Sequence, residues 1–201
     1  VTAVSNKLKE ETLEHFDITR EIDVIPNFID FNRFNKKPRE HFKQMIAPNG
    51  EKIIIHTSNF RKVKRVEDVV AIFSRIIKEI PAKLLLIGDG PERSHIEKVC
   101  REHNTCDWVT FLGKQEAIEE ILSIGDLFIL PSESESFGLA ALEAMACEVP
   151  VISTNAGGIP EVNIHGVTGF LSNIGDVDSM ANHAITNDDN SMFLHRLKLQ
   201  F

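Results

Sequence analysis

The stretch from Leu127 to Val151, LFILPSESESFGLAALEAMACEVPV, limits the fold of this chain more than any other. Leu127–Leu130 is a short unbroken apolar run, the pattern of a strand buried on both faces. Residues 131–136 are polar and carry Glu133 and Glu135. Residues 137–147 read as a helix, and Glu143 is the only charged residue between Ser136 and Glu148. A helix that apolar on nearly every side lies in a core. A carboxylate is rarely buried there without a partner.

The order strand, polar loop, helix makes this stretch a candidate site. The first N–H groups of a helix have no partners within it, and its dipole puts partial positive charge there. At the carboxyl edge of a parallel strand such an end is a common anion site. Gly138 allows the backbone to approach a ligand closely. If the helix starts near Phe137, Glu143 lies roughly 9 Å along it at 1.5 Å rise per residue, about the reach from a phosphate to the sugar of a nucleotide. A tight turn with Glu143 on a solvent edge explains the same residues equally well.

The rest of the chain alternates in the same way. Residues 2–16 read as a helix with Leu8, Thr12 and Phe16 at four-residue spacing. A start in mid-helix is expected of a piece of a longer protein. A short strand at 23–25 is ended by Pro26-Asn27; 33–39 is a basic loop, and 40–46 a short helix. Further strands are expected at 52–58, 84–87, 108–112, 149–153 and 169–171. Helices are expected at 66–80, 92–102, 116–124 and 177–185, the first carrying Val66, Val69, Val70, Phe73, Ile76 and Ile77 on one face and ended by Pro81. Residues 187–190 read as a turn. This alternation predicts an α/β fold, a doubly wound parallel sheet with helices on both faces.

Composition narrows the function. With 42% hydrophobic and 26% charged residues the 201-residue chain reads as an ordinary globular protein. No run approaches the roughly 18 apolar residues of a membrane span. A net charge of −8 speaks against nucleic acid or anionic membrane as partners. Cys100, Cys106 and Cys147 form no framework and no metal-ligand spacing, which fits a cytoplasmic protein. The eight histidines form no ligand motif, and each reads as a surface or core residue. There is no G-x-S-x-G elbow and no G-x-G-x-x-G after a strand. No metal site and no cofactor are expected, so basic residues and helix N-termini must stabilise any leaving anion.

Against this acidic background, Arg61, Lys62, Lys64 and Arg65 cluster between a strand and a helix. Cations there oppose the helix dipole and invite an anion; a solvated loop partly neutralised by Glu67 and Asp68 is the plainer reading. Gly88-Asp89-Gly90-Pro91, Gly113-Lys114 and Gly157-Gly158 follow strands and read as tight turns, or as ligand loops at the carboxyl edge.

These residues together carry a resemblance. Glu135-x7-Glu143, with Phe137-Gly138-Leu139 inside it, Pro150-Val151 after it and Gly157-Gly158-Ile159-Pro160-Glu161 beyond, resembles the retaining nucleotide-sugar glycosyltransferases of family 4. The phrase from Val24 to Asp30 is similar to that family's entry into its donor domain, with Phe28 where glycine is usual. Glu148 likewise stands where the family has glycine. The resemblance implies a GT-B fold of two Rossmann-like domains, with this chain as the C-terminal, donor-binding one. Residues 1–27 would then lead in from a missing N-terminal domain, 28–186 would bind donor, and 187–201 would form a tail.

The resemblance also implies roles. Lys64 matches a lysine on the donor diphosphate. Asn59 stands where that family's arginine is usual, with Arg61 as its substitute. Gly88, Gly90, Gly113 and Lys114 would lie around the donor base and Glu143 at the ribose. Glu135 would face the sugar, and Phe137, Gly138 and Leu139 the diphosphate. The Asn-Phe-Arg-x-Val-Lys-Arg form resembles the subfamily of bacillithiol biosynthesis that transfers N-acetylglucosamine from UDP-N-acetylglucosamine to L-malate. That implies UDP-N-acetylglucosamine as donor substrate, malate held mainly by the missing domain, and room for a homodimer of the longer protein. A UDP-N-acetylglucosamine 2-epimerase and a non-catalytic nucleotide-sugar-binding module are the alternatives.

Overall fold

A computed structural model describes residues 1–186. The turn and tail expected after them lie outside the described residues. Strands β3 (Lys52–Thr57), β4 (Ala82–Ile87), β5 (Val109–Gly113), β6 (Leu127–Leu130), β7 (Val151–Thr154) and β8 (Gly169–Ser172) form one six-stranded sheet in the order β5-β4-β3-β6-β7-β8. Every pairing in it is parallel.

Period-2 alternation along each strand sends neighbouring side chains to opposite faces. Ile53, Ile55, Leu85, Phe128 and Leu130 enter one core. Helices α5 (Ile118–Leu122) and α6 (Leu139–Ala146) cover that face with Ile121, Leu122, Ala141, Ala144 and Met145. Ile54, Leu84, Leu86, Ile129 and Ile152 enter the other core. There α3 (Val66–Ile76), α4 (Arg93–Glu102) and α7 (Val177–Thr186) contribute Val69, Phe73, Ile96 and Met180. Burial on both faces is why the strands read as unbroken apolar runs.

The chain builds outward from β3 through β4 to β5. It then crosses back to lay β6 beside β3 and builds outward the other way. Such a reversal leaves a crevice beyond the carboxyl ends of the two central strands. The loops after β3 and β6 line it.

Several boundaries differ from the sequence expectations. The chain does not open in a helix: β1 (Thr2–Ala3) pairs in parallel with β2 (Asp23–Val24). Helix α1 (Asn6–His15) starts only after Ser5, whose hydroxyl accepts from the Leu8 N–H at 3.1 Å. Serine is a strong N-cap, so it fixes the start that the four-residue spacing could not. Helix α2 (Glu40–Ile46) matches its expected span. Helix α3 ends at Ile76, and the chain reaches Pro81 through turns that include an Ile80 N–H bond to the Ile76 carbonyl at 2.9 Å. Helix α6 starts at Leu139, not near Phe137, because Gly138 is its N-cap with φ of +95°. Glu148 adopts the left-handed conformation at φ +58°, so the turn after α6 keeps the shape that glycine would favour.

His56 on β3 is fully buried between the Phe60 and Phe128 rings. Its Nδ1 lies 2.8 Å from the Ile129 carbonyl, and its Nε2 lies 2.9 Å from the Ser58 hydroxyl. With Nδ1 donating, Nε2 accepts, which is the neutral ring. Burial pushes its pKa down to about 4. An unfolded histidine titrates near 6.5, so the unfolded state takes up a proton that the folded state refuses across that interval. Stability is full above pH 6.5 and falls as pH drops toward 4, with a slope of up to about 1.4 kcal/mol per pH unit. Denaturant titrations at several pH values test this. His56→Gln should give a lower plateau and a flatter profile between pH 6.5 and 4. An equal slope in both proteins would contradict a neutral buried His56.

Candidate functional site

The crevice is closed from below by contacts between its two loops. After β3, Lys62–Lys64 form a short 3-10 turn that carries Lys64 toward β6. After β6, the Glu133 N–H donates to the Val63 carbonyl at 2.8 Å. The Lys64 ammonium then meets the Glu135 carboxylate at 2.7 Å, and the Ser132 hydroxyl donates to the same oxygen at 2.9 Å. Both charged side chains are largely shielded, at 20% and 15% exposure. Residues 71 positions apart thus form one charged centre at the switch point.

Glu135 continues into the open end of α6. The N–H groups of Phe137, Gly138 and Leu139 have no acceptor among the described residues. Phe137 is buried while Leu139 is exposed. Glu143 is the fifth residue of α6, about 6 Å along from Leu139 at 1.5 Å per residue, closer than the distance expected from a Phe137 start. Its carboxylate makes no hydrogen bond among the described residues and is half-buried. Burial pushes its pKa up, the Arg33 guanidinium opposes that, and Glu119 adds to it.

The basic cluster divides. Lys64 serves the crevice. Arg65 turns away to pair with Asp68 at 2.7 Å. Arg61 and Lys62 are exposed and make no ion pair among the described residues. The Asn59 side chain is exposed too, while its backbone packs against the next loop. Gly88 and Gly90 are needed for that packing. A Cβ at Gly88 would stand 1.8 Å from the Ser58 carbonyl oxygen, and one at Gly90 would stand 2.0 Å from that of Asn59. The Gly88 N–H donates to the Gly113 carbonyl at 2.8 Å, which joins this loop to Gly113-Lys114. Lys114 is exposed. The loops after β3, β4 and β5 therefore form one continuous rim beside the crevice.

Sequence reasoning missed Arg33 as a site residue. Its guanidinium donates to the Glu116 carbonyl at 2.7 Å and pairs with Glu119 at 3.0 Å, which places it near Glu143. Its only sequence signal was a basic loop. It also missed Ser132, an unremarkable serine until the fold sets it beside Glu135. Among the described residues, no three His, Cys, Asp or Glu side chains converge as a metal site. No helix among them is long and apolar enough to cross a membrane.

A six-stranded parallel sheet of this order, with charged loops at its reversal, defines a Rossmann-like ligand-binding domain. The chain belongs to the glycosyl transferases group 1 family, which matches residues 37–196. It is 50% identical over 186 residues to the N-acetyl-alpha-D-glucosaminyl L-malate synthase of Bacillus anthracis, covering 92% of this chain and 49% of that protein. It is 31% identical over 179 residues to the D-inositol 3-phosphate glycosyltransferase of Mycolicibacterium smegmatis, covering 85% of this chain and 40% of that protein. Sucrose-phosphate synthase from Thermosynechococcus elongatus superimposes with a TM-score of 0.85 at 27% identity, over 98% of this chain and 51% of that one. HepE from Anabaena, in a structure with UDP and glucose, superimposes at 0.90 with 23% identity, over 98% of this chain and 55% of that one. The architecture is that of one half of a GT-B glycosyltransferase, and the chain spans about half or less of the length of these curated relatives.

The ion pair at the switch point is open to a direct test. A double-mutant cycle with Lys64→Ala and Glu135→Ala, read by denaturant unfolding, should give a coupling of about 1 kcal/mol that shrinks with added salt. A coupling indistinguishable from zero at low salt would mean that the two side chains do not form the bridge.

Proposed function

We propose that this chain is the donor-binding half of a retaining glycosyltransferase that moves N-acetylglucosamine from UDP-N-acetylglucosamine to L-malate. The observation that carries the reading is the juxtaposition of Lys64, Glu135 and the unpartnered N–H groups of residues 137–139 at the switch point. The 50% identity to the N-acetyl-alpha-D-glucosaminyl L-malate synthase supports the choice of substrates.

In this reading each element has one task. Glu143 accepts hydrogen bonds from the ribose hydroxyls, which gives its half-buried carboxylate the partners it lacks. Lys64, with the exposed Arg61 beside it, and the α6 N-terminus hold the diphosphate. They neutralise the charge that grows on UDP as the bond to the sugar breaks. Glu135, released from Lys64 by the incoming phosphate, accepts from the transferred sugar. The rim from Asn59 through Gly88-Gly90 to Gly113-Lys114 surrounds the base. Residues 28–186 form this half, residues 1–27 approach it from the remainder of a longer protein, and that remainder holds malate. The matched relatives are transferases, which favours transfer over the epimerase reading.

The test is UDP release from UDP-N-acetylglucosamine, with and without malate, by this chain and by a longer protein that includes the rest of the relatives' length. The longer protein should release UDP only with malate. This chain should bind UDP, more weakly as salt rises, yet release none, because the acceptor hydroxyl must be held roughly 3–3.5 Å from the anomeric carbon by groups from both halves. Conversion of the donor to its 2-epimer without malate would make the protein an isomerase. Binding without turnover by the longer protein would make it a sensor.

A further inference from the structure

Helix α1 begins against the loop that carries the candidate diphosphate site, and two side chains fix its N-terminus there. Ser5 is fully buried. Its hydroxyl donates to the Ser136 carbonyl at 2.6 Å while it accepts from the Leu8 N–H. Ser136 immediately precedes the three unpartnered N–H groups of Phe137, Gly138 and Leu139. The first turn of α1 has no acid of its own. Glu161, from the 3-10 turn Ile159–Glu161, takes that place. Its carboxylate accepts from the Asn6 N–H at 2.9 Å, the Asn6 side-chain amide at 2.8 Å and the Lys7 N–H at 2.9 Å. A carboxylate at a helix N-terminus is favoured by both the free N–H groups and the dipole.

The same turn grips the loop from its other side. The Gly158 N–H donates to the Glu135 carbonyl at 2.8 Å. A Cβ at Gly158 would lie 2.4 Å from the Ser136 carbonyl oxygen, 2.9 Å from the Ser5 hydroxyl and 3.0 Å from the Phe137 Cα. Three segments far apart in sequence therefore meet without spare space at residues 135–137. Partial burial works against ionisation of Glu161, but the donors from Asn6 and Lys7 outweigh it and hold its carboxyl below the usual carboxylate range.

We propose that Ser5 and Glu161 are positioning residues for the diphosphate end of the donor site. They dock the α1 N-terminus onto the loop and so aim the N–H groups of residues 137–139. The proposal rests on the donor-binding reading above. Neither residue touches the ligand; both act through the Ser136–Leu139 backbone. The base rim is built from Asn59, Gly88, Gly90, Gly113 and Lys114, none of which bonds to residues 135–139 among the described residues. Loosening the junction therefore costs affinity for the diphosphate and spares the nucleoside.

The experiment compares UDP with uridine, which lacks the diphosphate, as ligands for wild type, Ser5→Ala, Glu161→Gln and the double variant, with thermal unfolding to confirm that each is folded. Glu161→Gln keeps the shape but turns an amide N–H₂ toward donors that need an acceptor. Each single variant should bind UDP about tenfold more weakly, the loss of roughly one capping interaction, and bind uridine as wild type does. The double variant should be little worse than the weaker single one, since both residues serve one junction. Should Glu161→Gln fail to fold, Ser5→Ala, which leaves the carboxylate cap in place, still decides. Folded variants that bind UDP as wild type does, or that lose UDP and uridine in equal measure, overturn the proposal while the donor-binding reading stands. A wild-type chain that binds neither ligand overturns both.

Discussion

The Lys64–Glu135 pair is the contact on which the crevice depends. It spans the one place where the sheet reverses its direction of growth, between β3 and β6. A largely shielded but still solvent-touched pair of this kind adds little to stability, on the order of 1 kcal/mol. Its importance is geometric. The ladder between β3 and β6 is short, with Ile54 and Ile55 opposite Leu127 and Phe128. Beyond it the two loops have only side-chain and turn contacts to hold them. The Val63–Glu133 backbone bond and the Ser132 hydroxyl supply the rest, and together they keep both charges at the floor of the crevice. In the proposed reaction the arriving diphosphate replaces Glu135 as the partner of Lys64, so neither charge is left without a partner in either state.

An acidic protein that binds an anion needs its cations placed locally. Arg33, Arg39, Lys43, Arg75 and Arg93 are each paired with a carboxylate. Arg61 and Lys62 are not, and they stand beside Lys64 on the exposed turn after β3. These exposed cations sit at the crevice despite a net charge of −8. The open end of α6 adds a further partial positive charge in the same place.

Much of this was legible in the residues. Ile53-Ile54-Ile55 and Leu127–Leu130 announce strands because burial on both faces demands it, and Val69, Val70 and Phe73 announce α3 because one face must meet the sheet. The order of those elements gave the doubly wound class, and with it the loops where a ligand can sit. Local backbone decisions were harder. Gly138 could open α6 or precede it, and only its left-handed conformation settles that the helix begins at Leu139. Glu148 hides a turn position that glycine would have advertised. Ser5 read as a residue inside a helix, because nothing nearby in sequence shows that Thr2–Ala3 pairs as a strand. The Ser5, Glu161 and Arg33 contacts were not legible at all. Each depends on partners 83 to 155 positions away, and single charged or hydroxyl residues carry no periodicity from which such a partner could be read.

The central claim is that the crevice at the strand reversal is where a nucleoside diphosphate binds. Backbone amide NMR of this chain during a UDP titration tests it most directly. The largest shifts should fall on Phe137, Gly138, Leu139 and the Arg61–Lys64 turn, and Lys64→Met should weaken the binding that produces them. UDP shifts gathered instead on the far side of the sheet, around the groove of Ile77, Pro81, His103 and Trp108, would contradict the account.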